Sequence, residues 1–185
     1  MVLVSIIELF RMAVMTLGIG YIFSSMVQRP THAFYTNPLA FDWPSVKLAA
    51  LATAPAVILH ELGHKFTALA LGVHAEFFAS YFGLGLGIFL KLISAPFIIF
   101  VPGYVQISAN AGAVTSGAIA LAGPLVNLAL WLAAAFALKA LRLTRTQMML
   151  AFLTKRINMI LFFFNLIPFG FFDGAKVLDG ILSLI

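Results

Sequence analysis

His60-Glu61-Leu62-Gly63-His64 lies inside the apolar run from Leu48 to Leu71, and its residue types are those of metal-assisted hydrolysis. Side chains four apart share one face of a helix, so His60 and His64 reach a single ion together. Glu61, one residue on from His60, stays close enough to serve as general base toward water activated by that ion. Ionisable residues within a bilayer-length apolar segment are costly and are functional candidates by default. A metal site is therefore favoured over a chance occurrence of the spacing.

The composition says what surrounds this motif. Of 185 residues, 63% are hydrophobic and 9% charged, with a mean hydropathy of +1.09. A soluble domain carries about a quarter charged residues. So few charges cannot dissolve a globule, and several apolar runs have bilayer length; the solvent is lipid. No linker, low-complexity tract or internal repeat divides the sequence, so residues 1–185 read as a single transmembrane domain. The net charge is +5, with basic residues spread over loops and span ends, a pattern of membrane anchoring and not of a nucleic-acid surface. There is no cysteine, which excludes disulfides, thiolate metal sites and cysteine nucleophiles. Any metal has to be held by His, Asp, Glu or backbone oxygen.

The elements that must position the motif follow in order. Val2 to Ser25 forms a first membrane helix, too long and without the small-residue cleavage site of a removable signal peptide. Its Glu8 and Arg11, three apart, can neutralise each other. Gln28 to Lys47 is a polar, Pro-containing connection, with Trp43 suited to a membrane interface and His32 a solvated histidine. The span from Leu48 to Leu71 ends near Gly72. From His74 to Asn110 the sequence is irregular: Gly83-Leu84-Gly85-Leu86-Gly87 is poor helix and tolerable strand or loop. The expectation there is a re-entrant or hairpin-like element packed beside the His60–His64 helix; a plain transmembrane helix from Phe82 to Val101 is the alternative that length permits. Gly112 to Leu138 is a third long segment, with Pro124 inside it and Asn127 one turn on, as interhelical glue or part of a site. Ile157 to Phe172 is interrupted by Asn158, Asn165 and Pro168, Asp173-Gly174 follows, and Ala175 to Ile185 is too short to cross a bilayer. The fold class is an all-α polytopic membrane protein of about four to six membrane segments, with an irregular re-entrant or strand-like element after the motif helix.

Two histidines leave a catalytic zinc one protein ligand short. The remaining candidates are His32, His74, Glu76, Asp42, Asp173 and Asp179. Glu76 reads better as an interfacial acid, and Asp173 is better placed than it, since Asp173 follows a long apolar run and Gly174 lets the backbone turn or approach closely. The chain resembles the site-2 protease family of intramembrane zinc metalloproteases. The resemblance rests on His60-Glu61-Leu62-Gly63-His64, on Asn165-Leu166-Ile167-Pro168-Phe169-Gly170-Phe171-Phe172-Asp173-Gly174, and on Ala122-Gly123-Pro124-Leu125-Val126-Asn127. It implies one zinc ion per chain held by His60, His64 and Asp173, with Glu61 as catalytic acid/base and Asn165 helping to bind substrate or the developing oxyanion. Asn127 is implied only as a packing or supporting residue. Residues 76–105 correspond to a family region with a membrane-embedded strand-like element, whose edge could hold an unwound substrate by backbone pairing. Two departures stand out. A second Asp-Gly, Asp179-Gly180, competes for the third-ligand role, although only Asp173 has Asn and Pro at the family offsets. The sequence also ends soon after Asp173, which reads as a near-minimal catalytic core.

The implied activity is hydrolysis of peptide bonds in transmembrane protein substrates, within the lipid bilayer, by a multi-pass protein of a prokaryotic cell membrane. Two rival readings are a membrane zinc transporter, which needs several His, Asp or Glu along a path, and a catalytically inactive relative that binds membrane proteins. With four histidines, two of them outside the spans, and an intact Glu61, the sequence favours the protease.

Overall fold

In the computed structural model, residues 3–27, 41–95 and 101–185 are described, and His32 lies outside them. They form α1 (Ile6–Val27), α2 (Trp43–Ala70), β1 (Ala75–Ala79), α3 (Tyr81–Leu92), β2 (Gly103–Ile107), α4 (Ala113–Ala140), α5 (Arg145–Asn165) and α6 (Asp173–Leu182). The two strands make one small sheet, and α1, α2, α4 and α5 are each long and apolar enough to cross a membrane. At ~1.5 Å per residue, α3 and α6 are too short for that. The all-helical polytopic expectation holds, strand-like interruption included. The chain divides into two compact units, Met1–Pro55 with Phe78–Tyr104, and Ala56–Phe77 with Val105–Ile185.

In the first unit, α1 buries Met12, Met15, Ile19 and Ile22, spaced as one helical stripe. Its start is tied by a reciprocal cap: Ser5 N–H donates to Glu8 Oε2 at 2.7 Å, and Glu8 N–H donates to Ser5 Oγ at 3.2 Å. Arg11 lies with its guanidinium carbon 4.1 Å from the centre of the Phe78 ring. The two charges of the first span thus have local structural work of their own.

The glycine-rich stretch differs from its sequence reading. Gly83, Gly85 and Gly87 lie within α3, a regular helix, and not in a strand or loop. Ser80 caps it, its Oγ accepting from Gly83 N–H at 3.0 Å. Leu84 packs against Gly18 of α1, and buried Lys91 donates to the Tyr21 carbonyl and to Ser24 Oγ at 2.7 Å. Packing of this kind outweighs a propensity cost of ~1 kcal/mol per glycine. What Gly83 supplies is space: a Cβ there would overlap the Val101 carbonyl oxygen, where the returning chain crosses the start of α3. Ser80 N–H also donates to Pro102 O at 2.9 Å. The helix stops at Leu92, with Ser94 at φ 53°, so no single helix runs from Phe82 to Val101.

In the second unit, α4 packs against both α5 and α6. Gly117 and Gly180 meet there: a Cβ on either would stand 3.1 Å from the Cα of the other. The N-terminus of α5 has a full capping box, with Thr144 and Gln147 exchanging side-chain and backbone bonds. Ala68, Ala75 and Ile119 form a small core against Leu69, Val73, Val105 and Ile107. The link from α5 to α6 turns through Pro168 and Gly170, the latter at φ 64°, and delivers Asp173 at the first turn of α6.

Candidate metal centre

Everything in the centre belongs to the second unit. His60 and His64 stand one turn apart on α2, both buried, with ring planes at 88° and centroids 4.6 Å apart. Asp173 enters from the start of α6. His60 Nε2 and His64 Nε2 are 3.0 Å apart, and Asp173 Oδ2 lies 3.1 Å from the first and 3.2 Å from the second. Residues 113 positions apart in sequence thus close one triangle of donor atoms.

The opposite edge of each ring decides what the triangle can hold. His60 Nδ1 is 2.6 Å from Asn127 Oδ1, and His64 Nδ1 is 2.8 Å from the carbonyl oxygen of Ile119. Both partners are acceptors, so both rings carry their proton on Nδ1 when neutral, and both Nε2 lone pairs point inward. Three acceptors at such distances repel unless a cation lies among them. Two imidazoles and one carboxylate make a donor set of catalytic zinc, which takes three protein ligands and keeps a position open. Tetrahedral bonds of ~2.0–2.1 Å place donors about 3.3 Å apart, close to the edges observed. The Asp173 carboxylate supplies the negative charge of this donor set. The partial positive end of α6 favours the same anion. Among the described residues this is the one group of three or more His, Asp or Glu side chains that converge closely enough to hold an ion.

One stripe of α4 reads both rings. Ile119, Gly123 and Asn127, four apart, present an acceptor, a gap and a second acceptor to His64 and His60. A Cβ on Gly123 would overlap His64 Nε2 and stand 2.7 Å from His60 Cε1. From the facing side, a Cβ on Gly63 would come within 2.9 Å of Val126 Cγ2 and 3.2 Å of Ala122 O, so α2 and α4 approach at two glycines. Gly123→Ala is accordingly expected to weaken metal binding by roughly tenfold or more, although alanine is the better helix former. Gly112→Ala, with open space around it, is the control that should bind as the unaltered protein does in the same titration.

Of the other residues singled out by sequence, Glu61 is buried beside the ligands, and its carboxylate accepts from the Val105 backbone N–H on β2. Asn165 is the last residue of α5, half-buried, and makes no hydrogen bond with the triangle among the described residues. Asp42 caps α2 by accepting from Ser45 N–H at 3.1 Å, and His74 is exposed. Asp179 is exposed on α6, six residues beyond Asp173 and so on another face; the Gly180 beside it serves the contact with Gly117. Three contributors had little or no sequence signal: the Ile119 carbonyl, Gly123 as the gap, and Asn158, whose side chain meets Asn127.

A family model of peptidase family M50 matches residues 48–143, a stretch that holds both histidines and Asn127. A protein of Methanocaldococcus jannaschii, named provisionally as a zinc metalloprotease, is 34% identical over 173 residues, covering 92% of this chain and 83% of the relative. One of Synechocystis, named in the same way, is 30% identical over 140 residues, covering 76% of this chain and 32% of that longer relative. No solved structure matches.

Proposed function

The chain belongs to peptidase family M50, and from that premise we propose that it is an intramembrane zinc metalloendopeptidase of the site-2 type, hydrolysing peptide bonds within or near transmembrane segments of membrane-protein substrates. The observation that carries this reading is the triangle of His60 Nε2, His64 Nε2 and Asp173 Oδ2, with its tautomers preset and a buried carboxylate one residue from His60. His60, His64 and Asp173 would hold zinc. When bound, zinc supplies Lewis-acid polarisation of the scissile carbonyl and makes water a stronger acid. Asn127 and the Ile119 carbonyl hold the two rings in register. The Glu61 carboxylate takes the proton of the attacking water and later delivers it to the leaving amine. Asn165, on this reading, turns toward the developing oxyanion once substrate is bound.

The lipid setting restricts the substrate. A peptide bond in a transmembrane helix is shielded by helical hydrogen bonding, so the segment has to unwind locally before attack. Substrates should therefore carry helix-weakening residues near the cut. The test is a transmembrane reporter co-reconstituted with the purified protein in liposomes. Cleavage is expected to stop with a zinc chelator and to return on adding zinc. Chelator-insensitive cleavage, or zinc flux without cleavage, would replace this reading with another.

A further inference from the structure

We infer that Asn158 is a positioning residue for the metal centre, acting through Asn127 to keep His60 in the tautomer whose Nε2 is free to bind an ion. The inference rests on the reading of His60 as a ligand. Asn127 and Asn158 are both fully buried, so water cannot stand in for a missing partner. The Asn127 amide can face His60 in two ways. With Oδ1 toward the ring, as observed, Nδ1 keeps the proton and Nε2 is a lone pair. Turned over, the amide would present a donor to Nδ1, the proton would move to Nε2, and the ligand atom would be blocked.

What fixes the choice lies on the far side of the amide. Asn127 Nδ2 donates to the Ala56 carbonyl at 3.1 Å and to Asn158 Oδ1 at 2.8 Å. Asn158 cannot itself turn over without cost, because its Nδ2 donates to the Thr154 carbonyl at 2.8 Å, and a backbone carbonyl only accepts. The order runs from the fixed carbonyl of Thr154 through Asn158 and Asn127 to His60, joining α5 to α4 to α2. Every polar atom along it has a partner of the right sense. Reversing either amide would set acceptor against acceptor at a buried position, where a lost hydrogen bond is most expensive. Asn158 touches neither zinc nor substrate in this account; its effect is read at His60.

The experiment measures zinc affinity by chelator competition on the full chain in detergent, with helix content and melting midpoint recorded alongside. Asn158→Leu removes the acceptor, and Asn158→Thr keeps a bond back to Thr154 while its shorter side chain withdraws from Asn127. Both are expected to bind zinc ~10–100-fold more weakly. Asn158→Asp, protonated in this buried setting, still offers Asn127 an oxygen and gives the Thr154 carbonyl an O–H, so it should stay within about threefold of the unaltered protein, a rescue that a general packing role does not predict. Asn127→Leu should lose as much as Asn158→Leu, and the double variant no more than either, since one relay is broken once. Should Asn158→Leu not fold, Asn158→Thr decides. Near-normal affinity in the folded Leu or Thr variant overturns the inference, as do losses that multiply in the double variant. His60→Ala separates the two levels: if it too keeps full zinc affinity, the metal-centre reading fails; if it loses zinc while Asn158→Leu and Asn158→Thr do not, only the role of Asn158 fails.

Discussion

Glu61→Gln is expected to bind zinc as the unaltered protein does and to cleave a transmembrane reporter ~10²–10⁴-fold more slowly. The expectation comes from what the substitution leaves in place. Glu61 is buried and accepts from the Val105 N–H, and glutamine has the same length and an oxygen for that bond. None of the three converging donor atoms belongs to residue 61. The loss is therefore confined to proton acceptance from water and proton delivery to the amine, which an amide does not perform. Zinc content and cleavage are measured on the same preparation. Cleavage at the unaltered rate by a zinc-loaded Glu61→Gln protein would remove general acid/base catalysis from this residue; loss of zinc would make Glu61 a support of the centre.

The parts of this protein that were legible in sequence are those whose causes are local. The spacing of His60 and His64 on one helix is a property of five consecutive residues. So is the presence of spanning helices, which composition alone requires in a chain with 9% charged residues. Asp173 is different: it meets the histidines only because α6 starts where the turn through Pro168 and Gly170 ends, and the resemblance to a family, not spacing, selected it over Asp179. The glycines of α3 misled for a related reason. Propensity describes an isolated helix, whereas Gly83 is there because the chain at Val101 passes over it, and sequence carries no direct trace of that neighbour. Asn158 is the extreme case. It stands in the sequence as an interruption of an apolar run, and its meaning exists only once Asn127 and His60 are in place.

The choice between Asp173 and Asp179 is open to the same direct test. Asp173→Asn is expected to lose zinc by more than the ~10–100-fold typical of a supporting residue, and to lose cleavage with it, whereas Asp179→Asn should retain both. Asp173 Oδ2 faces both Nε2 atoms at 3.1 and 3.2 Å, and its anionic state is favoured by the positive end of α6. An asparagine there offers a neutral oxygen of lower ligand strength, or turns its amide donors toward the centre. Gly174 argues for the same site. A Cβ at that position would stand 2.6 Å from Ile167 O and overlap Leu166 O, so the residue after Asp173 has to be glycine for α6 to begin against the preceding loop. In the second Asp-Gly pair the glycine is less tightly confined, with a Cβ there 3.0 Å from Ala113 O and 3.1 Å from Gly117 Cα of α4, and the aspartate beside it is exposed. One dipeptide aims a carboxylate, while the other seats a helix. Zinc stoichiometry on the two variants checks this, and loss of metal from Asp179→Asn with retention in Asp173→Asn would reverse the assignment.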